Sequence, residues 1–112
     1  MTDRGKKYLS DIVLAIALIE EFIAAMNTFE KYNSDLKTQS AVERQLSILG
    51  EAVNQFLKES PDESLIHAKQ IIGFRNRLVH AYDSIDNSIV WVILKKYLNP
   101  LKSEVLQKME SK

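Results

Sequence analysis

Apolar residues recur along this chain at steps of three and four, the spacing that lines one face of a helix. Leu9, Ile12, Val13, Ile16, Ile19, Ile23, Met26 and Phe29 make the first such stripe and predict a helix over about 6–32. Asn33-Ser34-Asp35 then reads as a loop. Ser40 and Glu43 form a capping box, so a second helix is predicted to begin there, with Val42, Leu46, Leu49, Val53, Phe56 and Leu57 on its apolar face. Gly50 falls inside that helix, where glycine costs about 1 kcal/mol against alanine. Close packing of another helix would compensate for it; neutral drift would explain it equally.

Ser60-Pro61-Asp62-Glu63 predicts the start of a third helix, with Ser60 as N-cap, Pro61 at the first helical position and Glu63 completing a box. Ile66, Ile71, Ile72, Phe74, Leu78 and Val79 supply its apolar content. Asp83-Ser84-Ile85-Asp86-Asn87 is a loop rich in capping residues. A last helix is expected over about 88–109, kinked at Pro100, whose ring clashes with the carbonyl four residues earlier. No stretch has the strict alternation of a strand. The pattern therefore predicts an all-α, up-down bundle of four or five helices, the count turning on whether Pro100 splits the last one. With 112 residues and no repeat or internal linker, positions 1–112 are expected to form a single domain.

Charge narrows the partners. Lys and Arg number 15, as do Asp and Glu, so the formal net charge is zero. A protein that coats nucleic acid is normally basic, because neutralising phosphates supplies most of that affinity. Any nucleic-acid contact here must be local, confined to a cleft or assembled from two subunits. The lack of cysteine excludes a disulfide framework and a thiolate metal site, and fits a cytoplasmic protein. No spaced set of His, Asp and Glu resembles a ligand set, so neither metal nor cofactor is expected. Arg4, Lys6 and Lys7 before the apolar run 12–19 imitate a secretion signal, but Asp11 interrupts the run and Glu20-Glu21 close it. The run is also too short to span a bilayer, and no membrane association is expected.

The chemistry concentrates in one octapeptide, Arg75-Asn76-Arg77-Leu78-Val79-His80-Ala81-Tyr82, with the pattern R-x4-H-x-Y. A guanidinium is permanently charged and forks onto phosphate oxygens. An imidazole titrates near neutral pH and can move protons. Together they suffice for metal-free cleavage of RNA. Asn76 and His80 are four residues apart, on one stripe where the amide can orient the imidazole. Arg75 and His80 stand about 140° apart around a regular helix and would not converge on it. Either the helix loosens near His80, or the two groups meet across a two-fold axis from different subunits. Attack by a ribose 2′-OH needs one base and one acid, and a symmetric dimer would supply two motif histidines. His67 is a second histidine whose placement the spacing does not give.

The bland readings carry weight on spacing alone. An arginine and a histidine five apart on a helix are most often two surface residues, Asn76 a surface amide, and Tyr82 an amphipathic edge. Trp91 and Phe56 are expected in the core. Lys69, Arg77, Lys95 and Lys96 make either a solvated face or, in a dimer, the lining of an RNA groove, for which Lys69 and Arg77 are the candidates.

Several segments together shift that balance. Tyr8-Leu9-Ser10-Asp11-Ile12, Ile48-Leu49-Gly50-Glu51-Ala52, the octapeptide, Ile85-Asp86, Val90-Trp91 and Leu98-Asn99-Pro100-Leu101 occur in an order and spacing that resembles the HEPN superfamily. The likeness is to its short HepT-like branch, the toxin partners of minimal nucleotidyltransferase antitoxins. It departs at Ser64-Leu65-Ile66-His67, where members of the branch often carry a Pro-Trp pair. The resemblance implies an all-helical homodimer whose two motifs face a shared cleft, and metal-independent endoribonuclease activity on transfer or messenger RNA. It implies Arg75 and His80 as catalytic, Asn76 as an orienting residue, and Tyr82 as an RNA contact. Tyr82 is also the implied site of AMP attachment by the cognate nucleotidyltransferase antitoxin, which would put negative phosphate where substrate phosphate binds. A competing reading is a non-catalytic subunit that presents nucleotide or substrate to a nucleotidyltransferase partner, and a third is a plain helical dimerisation module.

Overall fold

The structure, a computed structural model, describes residues 1–81, 83 and 85–110. Every regular element among them is a helix: α1 (Asp3–Phe22), α2 (Phe29–Asn33), α3 (Leu36–Glu59), α4 (Ala68–His80), α5 (Asn87–Lys96) and α6 (Leu98–Glu110). The core lies chiefly between α1 and α3, where Leu9, Ile12, Ile16 and Ile19 meet Leu49, Val53 and Phe56, all fully buried. α4 packs on the other flank of α3, and α6 packs against α1 and α5. The all-α bundle is therefore as its hydrophobic periodicity indicates, while several boundaries differ.

The first expected helix is two. α1 stops at Phe22, turns through Ile23–Met26, and Thr28 then caps α2 by accepting from the Lys31 amide at 3.2 Å. Ile23 and Met26 still pack on the core from the turn, so the apolar period continues although the helix does not. A straight helix would carry Tyr32 about 15 Å past Phe22. The turn instead buries it with its ring 5.5 Å from that of Trp91.

α3 starts at Leu36, ahead of the Ser40–Glu43 box, because Asp35 caps it by accepting from the Thr38 amide at 3.0 Å. Ser60 closes α3 instead of opening α4: its N–H donates to the Phe56 carbonyl, and its own carbonyl accepts from the Glu63 amide at 2.9 Å. That bond makes Pro61 and Asp62 the centre of a tight turn, for which Ser-Pro-Asp is as well suited as for a helix start. The Glu63 carboxylate goes to Lys108 at 2.8 Å, and Glu104 accepts from the Ile66 amide at 3.0 Å. α4 consequently begins only at Ala68.

The last predicted helix divides at Tyr97, whose N–H donates to Ile93 and whose carbonyl accepts from Leu101. Pro100 is the third residue of α6, where a backbone N–H has no partner within the helix to lose. It opens α6 instead of kinking a longer helix.

Candidate active site

α4 crosses α3 at Gly50. A Cβ there would overlap the Cβ of Arg75, stand 2.7 Å from its Cγ, and come within 3.4 Å of the Ile71 carbonyl oxygen. The glycine in α3 is therefore what lets the stem of Arg75 lie on the α3 backbone. α4 inserts Ile71, Phe74 and Leu78 into the core, and Arg75 sits at the edge of that buried face.

Two neighbours hold the guanidinium. Its Nη2 pairs with Glu51 Oε1 at 2.9 Å, and its Nη1 donates to Asn76 Oδ1 at 3.0 Å. Glu51 is itself steadied by Gln55, whose Nε2 donates to Glu51 Oε2 at 2.8 Å. The Arg75 Nε is buried and has no hydrogen-bond partner among the described residues, yet the side chain as a whole keeps 26% of its surface exposed. It opens into a cleft of about 360 Å³ bounded by Lys7, Tyr8 and Asp11 of α1, Ile48 and Glu51 of α3, and Val79 of α4. A guanidinium has five N–H donors, and two are engaged here, so donors remain for an anion entering the cleft.

His80 is the last residue of α4 and is exposed. The helix stays regular up to it, so Arg75 and His80 keep their separation around the axis. Asn76 gives its side-chain oxygen to Arg75, and among the described residues no side-chain hydrogen bond of His80 is present. Tyr82 lies outside the described residues. His67 precedes α4 at its far end, about 20 Å from His80 along the axis, and its ring packs on Tyr97 at 4.7 Å. It does not join His80 within one chain.

Lys69 and Arg77 lie on the exposed side of α4, turned away from Arg75, and line a separate cleft of about 420 Å³ between α4 and α5. Beyond it Asp86 caps α5: the Ser88 hydroxyl and amide hold its carboxyl below the usual range, with a smaller contribution from Arg77. Among the described residues no three His, Cys, Asp or Glu side chains are grouped to hold a metal ion, and no helix is long and apolar enough to cross a membrane. Glu51 and Gln55 are the members of the site that spacing did not single out. The signal that could have led to them is Gly50, an expensive residue in mid-helix.

The all-helical bundle fits the HEPN-like class. The family model described as Ribonuclease HepT-like matches residues 12–107, and the chain belongs to that family. It is 39% identical over 103 residues to the "Probable ribonuclease HepT" of Thermococcus cleftensis, covering 88% of this chain and 90% of that protein. It is 34% identical over 110 residues to a Methanocaldococcus jannaschii protein named "Gamma-glutamylcyclotransferase and putative RNase", covering 94% of this chain and 47% of that longer protein. A Caldanaerobacter subterraneus protein named "Putative RNase" is 31% identical over 107 residues, covering 92% of this chain and 95% of the relative. No solved structure gives a significant match.

Proposed function

We propose that this protein is a metal-independent endoribonuclease, the toxin of a type VII-like toxin–antitoxin pair acting in the cytoplasm on transfer or messenger RNA. The observation that carries this reading is the mounting of Arg75. A cation seated on a glycine backbone, oriented by a carboxylate and an amide and left open to a cleft, is prepared for a phosphate. Two acceptors on one arginine, one of them itself held by Gln55, exceed what a solvated surface residue requires.

The active unit is a homodimer. Exposed Ile48 and Val79 line the Arg75 cleft, an apolar rim suited to a second copy of the same face. In that assembly the His80 imidazole of one subunit takes the proton of the ribose 2′-OH, and the 2′-oxygen attacks the adjacent phosphorus. The bond to the 5′-oxygen breaks, and the partner subunit's His80 protonates that leaving group. The products are a 2′,3′-cyclic phosphate and a 5′-hydroxyl end. Arg75 binds the phosphate and stabilises the charge that grows on its non-bridging oxygens. Asn76 orients the guanidinium, and Tyr82 contacts the RNA. Attachment of AMP to Tyr82 by a cognate nucleotidyltransferase antitoxin places a phosphate in the substrate's path and shuts the site.

The test is cleavage of total RNA in EDTA by protein of verified unmodified mass, beside Arg75→Ala and His80→Ala. Cleavage by the parent alone supports the reading. No cleavage by unmodified parent protein replaces it with a subunit that only presents nucleotide or substrate to a partner.

A further inference from the structure

The chain has a second mid-helix glycine whose presence packing does not explain. A Cβ added at Gly73 of α4 would meet nothing within 4 Å, in contrast to Gly50. Its backbone is helical with negative φ, so the position demands no glycine conformation either. Glycine nevertheless costs a helix interior about 1 kcal/mol, and it is the residue that permits close approach of a ligand to the backbone.

What flanks Gly73 suggests the ligand. Lys69 and Arg77 stand one turn before and one turn after it, about 40° to either side, spanning about 12 Å of the helix axis. Both are exposed and line the cleft between α4 and α5, which has no carboxylate among its described lining residues. The floor is apolar: Phe74 is buried beneath it, while Val92, half exposed, and Tyr97 border it. Two cations along a bare stretch of backbone match consecutive stretches of a phosphodiester chain, and the apolar floor matches a base turned out of a stack. An RNA duplex hides its base faces and would leave that floor unused. Asp86, on which Arg77 acts, is engaged in capping α5. His80 lies about 20° around the helix from Gly73 and about 10 Å further along it, on the same exposed side.

We infer that the α4–α5 cleft is a binding track for single-stranded RNA, whose backbone crosses Gly73 between Lys69 and Arg77 and runs on toward His80. The inference rests on the ribonuclease reading for its direction and on the cleft for its existence.

Gly73→Glu is the discriminating variant, because it fills the track with a negative side chain at a position where a Cβ touches nothing and helix propensity improves. Ser40→Glu adds the same charge on the exposed side of α3 as a control. The probe is a labelled 2′-O-methyl oligouridylate, which lacks the attacking hydroxyl and cannot be cut by this chemistry. Binding is followed by fluorescence anisotropy over a salt series, with folding checked by thermal melting. The expected result is binding weakened at least about tenfold by Gly73→Glu and unchanged by Ser40→Glu. The double variant Lys69→Gln/Arg77→Gln should lower the slope of log K against log salt by about 1.4, two phosphate contacts at about 0.7 each. If Gly73→Glu and the double variant bind as the parent does, the track is overturned, and cleavage by the parent would still stand. If the parent binds with this dependence but cuts no RNA, the track stands and the ribonuclease reading falls. If the parent does not bind the probe, the track is overturned.

Discussion

Gly50→Ala should separate stability from activity in a way that only the α3–α4 crossing explains. The new methyl carbon would overlap Arg75 Cβ and stand 2.7 Å from its Cγ; the Cγ can turn about χ1, but the Cβ cannot move away, since it is fixed by the α4 backbone. α4 must therefore move by something approaching 1 Å to restore an ordinary contact. Overpacking of this kind costs about 1–3 kcal/mol. Replacing glycine by alanine inside a helix returns about 1 kcal/mol. The net loss is then about 0–2 kcal/mol, a fall in melting temperature of up to about 15 °C for a domain of this size. Cleavage suffers more, because displacing a catalytic group by about 1 Å can cost on the order of 100-fold. Gly73→Ala is the internal comparison: it gains the same helix propensity with no contact to violate, and should stabilise the protein by about 1 kcal/mol. Thermal melts of the two variants, with initial rates of RNA cleavage for Gly50→Ala, test the argument. A Gly50→Ala protein as stable as Gly73→Ala, cutting RNA at the parent rate, would refute it.

Three further outcomes are expected. Glu51→Ala removes the carboxylate that pairs with Arg75 Nη2, and should lower kcat by on the order of 10–100-fold with KM not raised, while Glu51→Gln, which keeps an acceptor oxygen, retains part of the rate; a rise in KM at unchanged kcat would show that Glu51 does not position the arginine. Gln39 is buried, donates to the Tyr32 carbonyl at 2.9 Å and accepts from Asn87 Nδ2 at 3.1 Å, tying α2, α3 and α5 together. Gln39→Ala should cost about 1–3 kcal/mol in denaturant titration, and a loss below about 0.5 kcal/mol would discount that bridge. Burial holds the Glu43 carboxyl above its ordinary range, so the folded protein binds this proton more readily than the unfolded chain. Its contribution to stability is greatest in acid and declines as pH rises through the folded value. Glu43→Gln should accordingly be more stable than the parent at neutral pH and equal to it below about pH 4, and an advantage that persists unchanged in acid would contradict the burial argument.

The helical class and the location of the candidate chemistry were legible in the sequence because both are local. Stripes such as Leu9, Ile12, Ile16 and Ile19 repeat with the helix period whatever they pack against, and the octapeptide holds its arginine and histidine within a few residues of each other. Element ends were less legible, because capping side chains are shared by helices and turns. Ser60-Pro61-Asp62-Glu63 has the composition of a helix start, and it became a turn once Glu63 was drawn to Lys108. Ser40 offered a start to α3, but Asp35, which read as part of a loop, took it ahead of the box. The stripe through Ile23 and Met26 continued across a break, since a turn can bury the same faces that a helix would. Tertiary structure alone decided the pairing of Glu51 with Arg75, which are far apart in the chain and meet only where α4 crosses α3. The two glycines state the division most simply. Gly50 and Gly73 carry the same conformational cost and look alike in sequence, yet one lies against an arginine stem and the other against open space. What a side chain would meet at a position is a property of the neighbouring helix, and no local pattern contains it.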